Sequence, residues 1–504
     1  MLLTLATVWQ LAEAVTLRPE AFGGMAFQRQ RGVTLEVDAE AYHFLCTCLQ
    51  PRPLPPSGHP AARLVPQLVR MGFLCPAEVG PERARPVPEA QWSGTGFVLS
   101  APETVHLAIT ARCNLACPGC YVPRSSAGPE LTVTELRGLI DQWARMRVFQ
   151  LAVGGGEPLL AEGLFDVLAY ARQQGIVPNL TTNGTLLDPD VVHRLERAGV
   201  ARVNVSWHGA LSEPQDGPDG GARERSQAVT RALWLLLGSR LQVGVNLVAT
   251  HALLPRLPHV LARLQALGVR RVTVLRPKPP AIPTGENKAW YDANQLTRAD
   301  LSRLRAVLDG WQGVLEIEVG SALAGLMGDT APALLRWRGI HGCAAGRRIC
   351  TVWPDGRVTP CSFLADLSAG NVRQAPFAEL WERGENWTPL RDPAAQPRGG
   401  CAGCAAAPQC GGARCVARYE QGNLLAGDAA CPHYHSPAAP CSQGIVRSPS
   451  GCFRTAHRPL LSGDRQIPVR LHPHRPPPPA PRGSSDPRPA ASVSPTGQSL
   501  LKKG

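Results

Sequence analysis

Three cysteines in one short segment carry the most specific chemical signal in this sequence. Cys113, Cys117 and Cys120 are spaced C-x3-C-x2-C and directly follow a β-rich run. Three thiolates on one tight loop can bind three irons of a 4Fe–4S cluster, which leaves the fourth iron without a protein ligand. An open position of this kind can bind a substrate or a cofactor. Taken alone, the same three cysteines are also compatible with a zinc knuckle.

Short glycine-containing and polar elements follow the next three β-rich runs. Gly155, Gly156 and Glu157 lie in the segment Gly-Gly-Gly-Glu-Pro, Asn183 lies in Thr-Thr-Asn-Gly, and Ser206 lies in Ser-Trp-His-Gly at the end of the fourth run. Glycines let the backbone approach a ligand closely. We expect the two glycines to hydrogen-bond the amino group of a methionine moiety, with Glu157 balancing its charge. The polar side chains at the other two positions would contact a ribose or a carboxylate.

The order and spacing of these elements resemble the radical S-adenosylmethionine superfamily over residues 100–325. The resemblance implies a cluster on the three cysteines that cleaves S-adenosylmethionine and yields a 5′-deoxyadenosyl radical. Two positions depart from the family pattern. The residue before the third cysteine, usually an aromatic that contacts adenine, is Gly119, and we expect Tyr121 to substitute for it. The family's frequent Asp after the fourth strand is replaced by His208.

The elements that must position these residues alternate between strands and helices. The predicted strands are Val105–Ile109, Phe149–Val153, Pro178–Thr182, Arg202–Trp207, Gln242–Ala249 and Arg270–Leu275. The predicted helices are Thr134–Arg147, Leu164–Gln174, Asp188–Ala198, Ser226–Gly238 and Leu254–Leu267. Repeated strand–helix units indicate an α/β fold with a parallel sheet and right-handed crossovers. Six strands suit an open, partial (β/α)6 barrel, with the chemistry at the carboxyl ends of the strands.

A second field of eight cysteines occupies residues 340–435, a loop-like, Gly- and Ala-rich segment. The field resembles the SPASM extension of radical maturases, and zinc ribbons are the alternative. The resemblance implies a first auxiliary 4Fe–4S cluster on Cys343, Cys350, Cys361 and Cys415. It implies a second on Cys401, Cys404, Cys410 and Cys431. The spacing between Cys410 and Cys415 is one residue longer than usual. Four cysteine ligands for each auxiliary cluster would leave no iron open to a substrate, so we expect these clusters to transfer electrons. Residues 353–358 are predicted to form a hairpin that places the flanking cysteines.

Residues 1–80 have the pattern of a small winged-helix-like unit. Met25–Arg29 and Val33–Val37 are predicted strands, Asp38 is a predicted cap for a helix ending near Leu49, and Ala61–Met71 is a second helix. This order resembles the peptide chaperone of pyrroloquinoline quinone synthesis. The resemblance implies a peptide-recognition domain that binds a leader peptide as an added strand. A purely structural cap on the barrel is the alternative.

The composition of the chain argues against nucleic acids and membranes as binding partners. The net charge is +13, but residues 436–504 contain ten Lys or Arg and only two Asp or Glu. Most of the excess therefore lies in a Pro- and Arg-rich tail that we expect to be disordered, and no nucleic acid is expected as a partner. No apolar run is long enough to span a membrane, and no secretory signal is evident, so we expect a cytoplasmic protein without a membrane partner.

Together these features predict a radical maturase that modifies a ribosomally synthesised precursor peptide. Its expected cofactors are three 4Fe–4S clusters, one radical-generating and two auxiliary, and S-adenosylmethionine. Flavodoxin or ferredoxin is the expected electron donor. A radical enzyme of haem or tetrapyrrole synthesis is the first alternative, and a non-catalytic iron–sulfur sensor or binding protein is another. A sulfatase-type maturase is disfavoured because Ser362 stands where that family has an Asp.

Overall fold

The computed structural model describes most of the chain as far as Tyr434. The described residues are 8–53, 60–77, 97–122, 128–207, 221–280, 282–311, 313–326, 342–392, 395, 399–402, 404 and 410–434. The predicted tail 436–504, His208 and most of the predicted linker after residue 76 lie outside these residues. Within the described part of the chain, the helices are too short or too polar to serve as transmembrane spans.

The N-terminal unit consists of two small antiparallel sheets and two helices. Its elements are β1 (Val8–Leu11), β2 (Val15–Glu20), β3 (Gly23–Gln28), β4 (Val33–Asp38), α1 (Ala39–Thr47), β5 (Arg52–Pro53), α2 (Pro60–Arg70) and β6 (Leu74–Ala77). One sheet has the order β2-β3-β4 and the other β5-β1-β6. The predicted cap is present, because the Asp38 carboxylate accepts a hydrogen bond from the Ala41 amide at 2.8 Å.

The six strands predicted for the barrel are all present, and their ends differ from the prediction by two residues at most. They are β7 (Thr104–Thr110), β8 (Gln150–Gly155), β9 (Val177–Thr182), β10 (Arg202–Trp207), β11 (Gln242–Val248) and β12 (Arg271–Leu275). Neighbouring strands pair in parallel in this order. This is the predicted partial barrel, because each strand returns through a helix to the next position in one sheet.

Five helices cover the outer face of these strands. They are α3 (Val133–Arg145), α4 (Leu164–Gln173), α5 (Pro189–Arg197), α6 (Gly221–Leu237) and α7 (Leu257–Ala266). Alternate strand residues such as Val105, Leu151 and Val203 are fully buried against them. The residues between them, such as His106, point to the inside of the barrel, because side chains alternate between the two faces of a strand.

The sheet extends beyond the six predicted strands at both edges. After helices α8 (Gly285–Asn294) and α9 (Arg298–Gly310), strand β13 (Glu316–Val319) pairs in parallel with β12. On the opposite edge, β14 (Ile349–Val352) pairs in parallel with β7. Strand β14 also pairs antiparallel with β15 (Arg357–Thr359), which pairs antiparallel with β16 (Gly370–Asn371). The predicted hairpin joins β14 to β15. The cysteine-rich segment is therefore built onto the edge of the barrel sheet.

The rest of the cysteine-rich segment contains little regular structure. Its helices are α10 (Phe377–Arg383), α11 (Thr388–Arg391) and α12 (Arg414–Gln421). Trp381 and Trp387 are fully buried here, and the Arg391 guanidinium lies 4.8 Å from the centre of each ring. A few large aromatic side chains thus provide the core that regular elements provide in the barrel.

The N-terminal unit packs on the amino-terminal ends of the barrel strands. Met25 and Phe27 of β3 are buried against Phe149, and the two phenyl rings stack with centroids 5.0 Å apart. Arg18 donates to the carbonyl of Pro102 at 3.0 Å and pairs with Glu20 at 2.7 Å. The Arg18 contact joins the unit to the barrel, because separation would break its buried hydrogen bond to the Pro102 carbonyl.

Candidate active site

The glycine segment after β8 holds the cysteine loop in place. The amides of Gly156 and Glu157 donate to the carbonyls of Thr110 and Arg112, both at 2.8 Å. A Cβ at position 156 would lie 2.1 Å from the Arg112 carbonyl oxygen, so only glycine allows this approach. Two strand ends are thus joined immediately before Cys113, and the cluster-binding loop begins from a rigid base.

Glu157 has a different environment from the one expected from sequence. Its side chain is completely buried and accepts hydrogen bonds from the Thr182 hydroxyl at 2.7 Å, the Asn183 amide at 2.8 Å and the Leu159 amide at 3.2 Å. Burial raises the pKa of this carboxyl, and these hydrogen bonds oppose the rise. With no surface open to a ligand, Glu157 links the loops after β8 and β9 and does not balance a ligand's charge by direct contact.

Asn183 continues this connection to the cysteine loop. Its Nδ2 donates to the Asn114 Oδ1 at 2.9 Å, and the side-chain Nδ2 of Asn114 donates to the Thr185 hydroxyl at 2.8 Å. The Asn183 Oδ1 also accepts from Thr185. Asn114 lies inside the C-x3-C-x2-C segment, so the predicted nucleoside-binding residue also orients the loop that carries the thiols.

The loop presents three cysteine side chains at the carboxyl end of β7. Cys113 is exposed, Cys117 and Cys120 are partly exposed, and all three are outside any disulfide. The Cys120 amide donates to the Cys117 carbonyl at 3.2 Å, which forms a tight turn. At Gly154 of β8, no atom of the described residues other than its chain neighbours lies within 4 Å of the place where a Cβ would be, so the backbone there is open to a ligand. Three accessible soft ligands beside an open backbone fit an iron–sulfur cluster with a bound cofactor.

The cysteine loop faces the cysteine-rich segment across an aromatic contact. The Tyr121 ring lies 4.7 Å from the Phe363 ring, and the Lys278 ammonium lies 4.3 Å from the centre of the same Phe363 ring. Burial and the Lys278 charge lower the pKa of His106, inside the barrel, to about 4, so this imidazole is neutral at pH 7. Ser206 is half-buried at the end of β10. The space between barrel and cysteine-rich segment is thus lined by aromatic and cationic groups.

The downstream cysteines form two groups. Burial raises the pKa of the Cys361 thiol, and the nearby Cys343 and Cys415 raise it further. In the second group, burial and the neighbouring Cys401 and Cys404 raise the pKa of Cys410. Burial raises the pKa of Cys431 to about 11, and Asp428, Cys410 and Cys401 add to the rise. These neighbours belong to the two ligand sets that the SPASM resemblance implies, and the two sets remain a prediction.

Cys350 does not join the first group. It is fully buried on β14 opposite Val105, on the face that packs against the helices. Burial raises its pKa, and the one neighbouring charge that opposes the rise belongs to Arg391. The adjacent Thr351 points to the other face, where its hydroxyl contacts that of Ser362 at 3.0 Å. Because side chains alternate along a strand, Cys350 is directed away from the cysteines with which the sequence grouped it.

One ion pair between the barrel and the cysteine-rich segment was not expected from sequence. Arg276 follows β12, and its Nη1 donates to the Asp428 carboxylate, with both residues buried. Asp428 also raises the pKa of Cys401, Cys410 and Cys431, which places it beside the second cysteine group. No sequence signal marks this pair, because 152 residues separate the two side chains.

Among the residues that the structure describes, no three His, Cys, Asp or Glu side chains are grouped closely enough to hold a single metal ion.

Sequence profiles and relatives identify the family. The profile of the radical SAM superfamily matches residues 107–232, and that of the SPASM iron–sulfur cluster-binding domain matches residues 343–405. An AdoMet-dependent heme synthase from Methanosarcina barkeri is 30% identical over 349 residues, which cover 66% of this chain and 97% of the relative. The chain belongs to the radical SAM superfamily. It is therefore an enzyme that uses 4Fe–4S clusters and S-adenosylmethionine.

Other relatives of this radical SAM enzyme carry different names. The mycofactocin maturase MftC from Mycobacterium ulcerans is 28% identical over 376 residues, which cover 73% of this chain and 95% of the relative. The PqqA peptide cyclase from Gluconobacter oxydans is 27% identical over 352 residues, covering 66% of this chain and 91% of the relative. Streptococcus suis SuiB, solved with the precursor peptide SuiA, has the same fold. Its TM-score is 0.61 at 16% identity, with 84% of this chain and 99% of SuiB covered.

Proposed function

We propose that this radical SAM enzyme is a maturase that modifies a ribosomally made precursor peptide. The observation that carries the proposal is a small apolar groove on the N-terminal unit, beside β4, the last strand of its sheet in the described part of the chain. The names of two relatives, a maturase and a peptide cyclase, agree with such a substrate.

The groove lies between β4, α1 and α2. It is lined mainly by apolar side chains, including Leu35, Val37, Phe44, Leu64 and Met71. Strand β4 is the last strand of its sheet and pairs only with β3 in the described part of the chain. A free strand edge beside an apolar groove binds extended peptides through backbone hydrogen bonds, with alternate side chains entering the groove.

The groove and the cysteine loop lie at opposite ends of the barrel. The other face of β4 contacts the amino-terminal ends of the barrel strands, since Thr34 donates to the Glu103 carboxylate at 2.7 Å. The cysteine loop follows the carboxyl end of β7, which has seven residues. At about 3.3 Å per residue the strand alone spans roughly 23 Å. A bound leader would therefore need a spacer of roughly ten residues or more before the modified position.

The chain's own residues bind, orient and enclose the reactants. Cys113, Cys117 and Cys120 would hold the radical-generating cluster, and the backbone around Gly154 would receive the amino acid part of S-adenosylmethionine. When bound, the two groups supply a carbon radical that removes a hydrogen atom from the substrate. Asn183 and Glu157 keep the loops in register, and Tyr121 with Phe363 limits the access of water from the side of the cysteine-rich segment.

The auxiliary clusters are assigned from the two cysteine groups. We place the first on Cys343, Cys361 and Cys415 and the second on Cys401, Cys404, Cys410 and Cys431. Cys350 is left as a core residue of β14. The clusters would take up the electron that remains after hydrogen abstraction, and a flavodoxin or ferredoxin would reduce the radical-generating cluster. The described cysteines form no disulfide with one another, which agrees with a cytoplasmic enzyme.

The test uses a small peptide encoded beside this gene. Anaerobic co-expression should change the mass of that peptide, and Val37→Asp should reduce the yield at least tenfold by placing a charge in the apolar groove. Val314→Asp is the matched control, because Val314 is 51% exposed and outside the groove. An unmodified peptide, or equal yields from the two variants, would contradict the proposal.

Haem or tetrapyrrole synthesis is the second candidate function. The observation in its favour is the 30% identity to the M. barkeri heme synthase over 97% of that relative. A function in haem or tetrapyrrole synthesis gives no role to the groove on the N-terminal unit. A haem-pathway gene neighbourhood, together with conversion of a tetrapyrrole by the wild-type and Val37→Asp enzymes at equal rates, would favour it.

A further inference from the structure

An aromatic side chain from outside the cysteine loop fills the place of the side chain that Gly119 lacks. A Cβ at position 119 would lie 2.3 Å from Cε3 of Trp290 and 2.5 Å from both Cδ2 and Cζ3. The three ring carbons are nearly equidistant from that point, so the indole meets the loop with its face. Gly119 directly precedes Cys120, and Trp290 therefore lies against the loop that carries the thiols.

Helix α8 holds Trp290 in this position. Thr284 caps the helix through a reciprocal pair of hydrogen bonds with Asn287. The neighbouring Tyr291 is buried, and its ring contacts Tyr419 of α12 edge-on at 5.2 Å. The helix is thus anchored on the cysteine-rich segment. Trp290 itself is only half-buried, which leaves part of the ring open to a ligand.

Tyr121, the other aromatic side chain of the loop region, is already engaged. Its ring packs on Phe363 at 4.7 Å. We propose that Trp290 is the aromatic surface on which the adenine of S-adenosylmethionine stacks, in place of a side chain at position 119. Helix α8 lies outside residues 107–232, so the superfamily profile does not include this residue. The assignment rests on the membership of the superfamily and is independent of the proposed peptide substrate.

The decisive experiment measures ligand affinity without any substrate or reductant. Binding of S-adenosylmethionine to the anaerobically reconstituted enzyme is followed by calorimetry, with iron content as a check on the clusters. Stacking of a base on an aromatic ring contributes enough that Trp290→Leu should weaken binding about tenfold, while Trp290→Phe should stay within about threefold of wild type. Trp234→Leu is the matched control, because Trp234 is 64% exposed on α6.

A residue swap adds a prediction that a merely structural tryptophan would not meet. Gly119→Phe alone should weaken binding, because the new side chain collides with the indole. The double variant Gly119→Phe, Trp290→Gly should recover most of the wild-type affinity, because one aromatic ring again borders the adenine position.

The third arm separates adenine stacking from support of the loop. Affinity for L-methionine, which has no adenine, should be the same in wild type and Trp290→Leu. An equal loss of affinity for both ligands, unchanged binding of S-adenosylmethionine, or loss of the cluster in Trp290→Phe as well as in Trp290→Leu would each overturn the proposal.

Discussion

The role of a side chain in this enzyme depends on the strand face that carries it. Cys350 and Thr351 are neighbours in sequence, yet Cys350 points to the helices and Thr351 points to Ser362. The resemblance to the SPASM extension groups Cys350 with Cys343 and Cys361, whereas the alternation of the strand separates it from them. Similarly, the motif residue Glu157 is buried between two loops, although its position in the motif predicts contact with a cofactor.

The position of Cys350 leads to a prediction at the residue scale. Cys350→Ala should retain the wild-type iron content after anaerobic reconstitution and should cost only about 1 kcal/mol of stability from the small cavity. Cys361→Ala should lose up to about four irons, because it removes a ligand of the first auxiliary cluster. Iron and sulfide assays on both variants make the comparison. Equal losses would return Cys350 to the ligand set.

At the scale of elements, one arginine connects three parts of the molecule. Arg348, just before β14, pairs with Glu36 of β4 and, at 2.8 Å, with Glu103 before β7. Its side chain is 10% exposed, and the neighbouring carboxylates hold the pKa of Arg348 above its usual value against the effect of burial. The N-terminal unit, the barrel and β14 therefore meet at this one cation.

This network predicts a large effect of a single substitution. Arg348→Met should destabilise the enzyme by about 3 kcal/mol, because it leaves two partly buried carboxylates unpaired. Arg383→Met is the matched control. Its pair with Glu379 lies within one helix, with the Arg383 side chain 65% exposed, and should contribute less than about 1 kcal/mol. Anaerobic urea unfolding of the iron-loaded variants measures the difference, and similar midpoints would refute the importance of this network.

At the scale of the whole molecule, the clusters are expected to hold the least regular part of the chain together. Among the described residues of 399–434, the longest regular element is α12, with eight residues. The two cysteine groups lie close to one another. Gly342, beside Cys343, is in contact with the Cys410 backbone. Metal ligation stabilises such segments, because binding occurs only in the folded arrangement.

The iron content tests this organisation. Full reconstitution should give about twelve irons per chain, four for each of three clusters. A variant with Cys113, Cys117 and Cys120 all replaced by Ala should keep about eight irons and release no 5′-deoxyadenosine from S-adenosylmethionine. Elemental analysis and chromatography of the reaction products provide the two readouts. A wild-type value that stays near four would contradict the auxiliary clusters, and persistent nucleoside release would contradict the role of the loop.

Much of the barrel could be predicted from the sequence, because its information is local and periodic. Apolar alternation marks all six central strands, and capping residues such as Asp38 and Asp188 mark helix starts. The three cysteines of the loop lie within eight residues, so their spacing alone brings their thiols together. Strand β13 and the pairing of β14 with β7 were not predicted, because short strands depend on their partners more than on their own pattern.

Thus the sequence by itself determined the family, the partial barrel and the thiols of the first cluster. Only the tertiary structure separated Cys350 from the other cysteines, buried Glu157, paired Arg276 with Asp428 and placed Trp290 on Gly119. The physical reason is distance along the chain. Contacts between residues of different elements, 25 residues apart for Glu157 and Thr182 and 152 for Arg276 and Asp428, leave no periodic or local signature. They form only when packed elements bring the residues together.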